Sequence, residues 1–214
     1  MNKPVQFSEI YQQFLSGLQQ TSLLEFVAVS AGIASVWYSR KENILVYPIG
    51  LINTTIYIYL SLEGQLYGEA SVNLYYTIVS IYGWIWWSKV NKNTQQTALK
   101  ISRSNAKEWL QQLTFFTVFY CVLFFALTKL KANFAPEAIP WADAFASATA
   151  YTGMWLMARK KVESWYWWIA TNIASIPLYF TKGYVFTSVQ FLILFVLAIA
   201  GLMSWHKKAQ HERY

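Results

Sequence analysis

The sequence predicts an all-α membrane protein of seven transmembrane helices, arranged as two parallel three-helix repeats joined by one further crossing. Three observations carry this. The chain is 56% apolar and 19% aromatic but only 13% charged, about half the charge of an average soluble domain. Long uncharged runs alternate with short basic loops. Finally, the first and last thirds of the chain share a spaced set of residues. A net charge of +7 would suit a polyanion partner, but the basic residues lie in short loops between apolar runs, where they report orientation rather than nucleic-acid binding. The one cysteine, Cys121, lies inside an apolar run, which leaves no basis for a disulfide framework or a thiolate metal cluster.

A bilayer core of about 30 Å needs roughly 20 apolar residues as helix. Residues 1–22 form a polar segment with Gln12, Gln13, Gln19 and Gln20, and no basic stretch precedes an apolar core. The segment does not read as a cleaved signal, so the first span is expected to be retained. The first three-helix repeat, 23–88, holds spans from Leu23 to Ser39, Ile44 to Leu62 and Ala70 to Ser88. A basic loop, 89–108, precedes a linking helix, 109–131, whose apolar run covers Trp109 to Thr128. The second repeat, 142–205, holds spans from Ala144 to Ala158, Ser164 to Thr181 and Tyr184 to Trp205, and a tail of 206–214 follows. Pro48 and Pro177 lie within spans and are expected to kink them.

Lys and Arg set the sidedness. Of the 17, four (Lys3, Lys129, Lys131 and Lys182) fall on one side of this topology and the other thirteen on the opposite side. Positive charge favours the cytoplasm, so the N-terminus is expected outside and the C-terminus inside. The 89–108 loop then serves as an orientation signal near anionic lipid.

The repeat rests on a fixed offset. At 118 residues, Trp37 meets Trp155, Gly83 meets Gly201 and Trp87 meets Trp205; at 119, Asn53 meets Asn172 and Gly64 meets Gly183. With one span between the copies, both repeats cross in the same direction. Transporters of that build place their substrate near the midplane, where the repeats meet.

Polar groups at that depth need a reason, since hydrocarbon offers no partner. Asn53 and Asn172 lie near the centres of their spans. Each could bond helix to helix or contact a ligand, and their matched depth favours the ligand. Trp165, Trp168 and Asn172, spaced i, i+3, i+7, share one helical face, while Trp167 falls on another and is expected to face lipid. Tyr57 shares a face with Asn53. Asn73 and Tyr76 form a further polar pair in the third span, and Gln190 occupies a comparable place in the seventh. Trp84, Trp86 and Trp87 end the third span as an interfacial belt. Within these spans only Glu25 ionises, near an end. Proton relays, ion-coupling carboxylates, HExxH zinc sites and Ser–His hydrolytic pairs are therefore not expected, nor is any enzyme activity, cofactor or metal. An indole-walled, amide-bearing, uncharged site suits a flat heteroaromatic ligand, better still a cationic one. A phosphorylated ligand would lack a cationic partner in the core.

Four stretches carry a resemblance: YPIGLIN (Tyr47 to Asn53), LYGEA (Leu66 to Ala70), IYGWIWW (Ile81 to Trp87) and WYWWIATN…LYFTKG (Trp165 to Gly183). In order and spacing they resemble the nicotinamide riboside transporter (PnuC) family from about Leu24 to Lys207. That resemblance implies a SWEET-like 3+1+3 fold of opposite membrane orientation in the bacterial inner membrane. It also implies facilitated diffusion (uniport) of an unphosphorylated vitamin that a cytoplasmic kinase traps. Trp165, Trp168 and Asn172 match the family's Trp-x-x-Trp-x-x-x-Asn binding motif, and Asn53 its second-helix Asn. Many members carry Gln where this chain has Asn73, a side chain one methylene shorter that alters pocket reach. The expected partners are a small-molecule substrate (nicotinamide riboside, or thiamine as the alternative) and the lipid bilayer, and homo-oligomers are compatible with such a chain. From another class, a seven-span receptor or scaffold would need no internal duplication.

Overall fold

The computed structural model describes residues 7–64, 67–90, 97–134 and 138–211. Among them it has eight α-helices: α1 (Phe7–Gln20), α2 (Leu23–Arg40), α3 (Val46–Glu63), α4 (Tyr67–Trp87), α5 (Ala106–Phe134), α6 (Pro140–Ala158), α7 (Ser164–Thr181) and α8 (Val185–His211). Helices α2 to α8 fall on the seven expected spans. The eighth, α1, lies in the polar N-terminal segment, where only a short segment was expected. Ile10, Phe14 and Gly17 give it one apolar stripe, and it docks on α8 with Phe14 5.9 Å from Phe186. It meets α2 at a bend of 108°.

Local chemistry fixes the ends. Ser22 accepts the Glu25 backbone N–H at 3.1 Å and caps α2. Asn105 and Glu108 exchange reciprocal caps at the start of α5, each 2.9 Å. Pro140 opens α6, where its missing N–H costs nothing. Pro48 lies in the first turn of α3 and is accommodated for the same reason, so the kink expected there has no cause. Pro177 is inside α7, and beside it the Ser188 hydroxyl of α8 donates to the Ile176 carbonyl at 2.8 Å.

By length and hydropathy alone, two helices among the described residues can cross a membrane, over Ala106–Lys129 and Val185–His211; the bent α1–α2 pair is a third candidate. The others are shorter and rich in Tyr, Trp, Ser and Asn, which depress hydropathy although Trp and Tyr suit the membrane interface. Large apolar side chains face outward: Leu110, Val122, Phe125 and Met203 are each 60% exposed or more. In water such a surface would be unfavourable, whereas lipid solvates it.

Helices α2, α3 and α4 pack in sequence, as do α6, α7 and α8; α2 lies against α8, α4 against α6, and α5 against α6. The 118-residue offset reappears in contacts. α2 and α6 end in the same C-cap, with Glu42 (φ 60°) and Lys160 (φ 51°) left-handed. In each, the next N–H reaches five residues back at 3.0 Å, Asn43 to Tyr38 and Lys161 to Leu156. The Trp87 indole of α4 donates to the Ala158 carbonyl at 3.2 Å, and the Trp205 indole of α8 donates to the Ser39 carbonyl at 3.0 Å. Each half thus caps the first helix of the other.

The 89–108 loop, expected as a solvated orientation signal, is partly built into the body. Ile101 is buried in the core cluster that holds Tyr47, Trp87, Trp165 and Trp205. Ser102 bonds Lys160 and Val162 through the backbone, since an apolar side chain at the foot of the bundle finds cover there.

Candidate functional site

Between the two three-helix groups lies a cavity of about 110 Å³, with Ser35 and Ser39 of α2, Tyr47 of α3, Ser80 of α4, Met157 of α6, and Trp165, Trp168 and Asn172 of α7 in its wall. The i, i+3, i+7 spacing in α7 therefore brings its three residues to one wall. Small residues make the room. Gly153 of α6 faces the Trp168 indole, which an added methyl would meet at 3.2 Å. A methyl on Gly201 of α8 would lie 2.5 Å from the Trp165 ring.

Asn172 is 3% exposed. Its amide lines the cavity and has no hydrogen-bond partner among the described residues. Its neighbour Thr171 bonds away from the cavity, to Thr149 at 2.9 Å and to its own helix. A buried amide left unpaired costs free energy unless something pairs with it. Trp165 Nε1 and Tyr47 Oη, which occupy equivalent places 118 residues apart, are also buried without a partner among the described residues. No side chain lining the cavity carries a formal charge.

The other expected residues lie elsewhere. Asn53 donates from Nδ2 to the Ala28 carbonyl at 2.7 Å and rests against Gly32; its amide joins α3 to α2 and is not part of the cavity wall. Asn73 donates back to the Glu69 carbonyl of its own helix at 2.9 Å. Tyr57 and Gln190 are half-buried and outside the wall. Tyr76 does not line the cavity either, but its ring lies 6.4 Å from that of Trp168 and 6.2 Å from that of Tyr151, so it buttresses the indole.

Two tryptophans are placed differently from expectation. Trp167 does not face lipid: its indole donates to Gln112 of α5 at 3.1 Å and packs on Phe116, because the fully buried Gln112 needs a donor for its carbonyl. Trp87 is not in an interfacial belt. Trp84 and Trp86 are exposed, but Trp87 is 4% exposed, edge-on to Tyr47 at 5.2 Å and 5.9 Å from Trp205.

Trp87 and Trp205, with Tyr47 and Trp165 edge-on to them, form an aromatic plug at the basic end of the cavity. Beneath it Lys160, 2% exposed, bonds Glu42 at 2.7 Å and lies 4.7 Å from the Trp87 ring centroid; Lys208 joins Glu42 at 2.9 Å. Burial pushes the Glu42 carboxyl up, but the two lysines outweigh it and hold it below the ordinary carboxylate value. The cavity-wall residues Tyr47, Ser39, Ser80 and Met157 lie outside the expected set. Tyr47 was findable, since it stands 118 residues before Trp165 within YPIGLIN.

The arrangement can hold a flat uncharged or cationic ring against Trp168 and pair its polar substituent with Asn172. Its wall carries no carboxylate, imidazole, thiol, amine or guanidinium. The family model described as nicotinamide mononucleotide transporter matches residues 22–207. The chain is similar to the nicotinamide riboside transporter PnuC of Escherichia coli (strain K12), 26% identical over 92% of this chain and 90% of that protein. It is also similar to the riboflavin/roseoflavin transporter RibM of Streptomyces davaonensis, 22% identical over 85% of this chain and 83% of the relative. Its fold is similar to that in the crystal structure of the vitamin B3 transporter PnuC, with a TM-score of 0.71 and 24% identity over 94% of this chain and 88% of that one.

Proposed function

The chain belongs to the nicotinamide mononucleotide transporter family, a family of membrane transporters and not of enzymes, and from this membership we propose that it carries nicotinamide riboside by facilitated diffusion. The observation that carries the substrate reading is the Asn172 amide, buried and unpaired beside Trp168 in an uncharged cavity. A pyridinium stacks on indole, where the cation adds about 0.5–2 kcal/mol, and its carboxamide pairs with Asn172. The phosphate of a mononucleotide would find no cation in the wall, which favours the riboside. The similarity to E. coli PnuC agrees.

The wider reading is a uniporter of the bacterial inner membrane, with α2 to α8 as seven spans in a 3+1+3 arrangement. The N-terminus lies outside and the basic end faces the cytoplasm, where phosphorylation would trap the vitamin. Contacts repeated at a 118-residue offset support the two halves, and the Lys and Arg distribution supports the orientation. The similarity to RibM favours a second reading, another flat heteroaromatic vitamin on the same stacking wall; riboflavin and thiamine are the competitors to test. The experiment is uptake of labelled nicotinamide riboside into proteoliposomes, with the other two vitamins as competitors. Saturable uptake that persists without proton or sodium gradients is expected; uptake that collapses with the gradients would rule out uniport, and preference for a competitor would change the substrate.

A further inference from the structure

The cavity wall holds one more unpaired polar group, on α4, besides the Asn172 amide, the Trp165 indole N–H and the Tyr47 hydroxyl. Three serines line the cavity. The Ser35 hydroxyl donates to the Val46 carbonyl at 3.0 Å, and the Ser39 hydroxyl to Met157 Sδ at 2.9 Å. Ser80 of α4 is 2% exposed, yet among the described residues its hydroxyl has no hydrogen-bond partner. Its neighbour Thr77 bonds back to the Asn73 carbonyl at 2.9 Å, as Thr152 does to Ala148 at 2.8 Å, the usual resort of a hydroxyl in an apolar helix. Ser80 takes no such bond and lines the cavity instead.

The duplicated architecture sharpens the point. At the 118-residue offset Ser80 corresponds to Ala198 of α8, which lines the same cavity and is 1% exposed. Packing at this register is therefore compatible with a methyl group. The hydroxyl on one side adds nothing the fold requires. The two halves differ in the same sense at Gly50 and Trp168, also 118 apart: Gly50 packs on Ser35, whereas Trp168 packs on Gly153. The second half supplies two indoles and an amide; the first supplies three serines beside the Tyr47 ring.

We propose that Ser80 is a specificity-determining residue that hydrogen-bonds a sugar hydroxyl of the substrate, so that the transporter reads the ribose from α4 and the base from α7. This rests on the riboside reading above. A ring stacked on Trp168 presents its carboxamide to Asn172, one turn further along the same helix. The remainder of the molecule extends toward the other three-helix group, where an unpaired sugar hydroxyl meets an unpaired serine. Each satisfies the other, in a wall whose remaining unpaired groups are the Tyr47 hydroxyl and the Trp165 indole N–H.

The test is a binding comparison on the purified full-length protein, read by quenching of tryptophan fluorescence. Nicotinamide riboside is compared with 1-methylnicotinamide, which keeps the cationic ring and carboxamide but lacks the sugar. Ser80→Ala is expected to weaken the riboside about 5–10-fold and leave 1-methylnicotinamide within about twofold. Trp168→Ala should weaken both. Equal loss of both ligands in Ser80→Ala, or loss of neither, overturns the assignment while leaving the riboside reading intact. A wild-type protein that does not bind the riboside overturns that reading and the assignment with it.

Discussion

Asn53 and Asn172 occupy matched places in the chain and do different work. The Asn53 amide is already bonded to a backbone carbonyl of α2, and that of Asn172 is unpaired in a cavity. Asn53→Ala should therefore lower stability by about 1 kcal/mol and leave ligand affinity unchanged, as thermal unfolding and ligand titration in detergent would show. Asn172→Ala and Trp168→Ala should each weaken binding by about 1–3 kcal/mol, and unchanged affinity in both would reassign them to packing. Sequence spacing could find the α7 trio because helical periodicity alone puts those residues on one face. It could not separate the asparagines, since which partner an amide meets depends on the neighbouring helix. Glu42 gives a prediction on pH. Its folded value is depressed below the ordinary 4.5, so its contribution is complete above that value and lost as pH falls through the folded one. The melting temperature of the wild type should thus fall more steeply below about pH 4.5 than that of Glu42→Gln.

The helices show what length and hydropathy can and cannot say. The ends of α2 and α5 were written in Ser22–Glu25 and Asn105–Glu108, capping patterns that need no tertiary context. Helix α1 was harder to see, because its apolar stripe is diluted by glutamines and becomes useful only where Phe186 of α8 covers it. At α8 the glycine matters as much as the apolar run. Gly201 lies against the six-membered ring of Trp165, and an added methyl would sit 2.5 Å from it. Gly201→Ala should accordingly cost about 1–3 kcal/mol through overpacking and shift Trp165 in the cavity wall. A lowered melting temperature together with weakened riboside affinity would check this; a neutral result would mean that α8 moves aside freely.

For the whole molecule, the reciprocal indole bonds make a further prediction. Trp87→Phe and Trp205→Phe each remove one bond between the halves, so each should cost about 1 kcal/mol. The two costs should be similar, because the bonds occupy equivalent places. Strongly unequal losses in thermal unfolding would argue against the two-fold relation. Composition and charge placement determined by themselves that the chain is a helical membrane protein, since lipid tolerates few backbone solutions and each leaves a hydropathy pattern. The family stretches added a transporter. Only the tertiary structure decided that Asn172, Trp168 and Ser80 meet at one cavity, that Asn53 does not, and that Trp87 and Trp205 cross between the halves. Those facts depend on which helices become neighbours and how each is rotated about its axis. Periodicity defines a face, but contact across a bundle decides what that face meets.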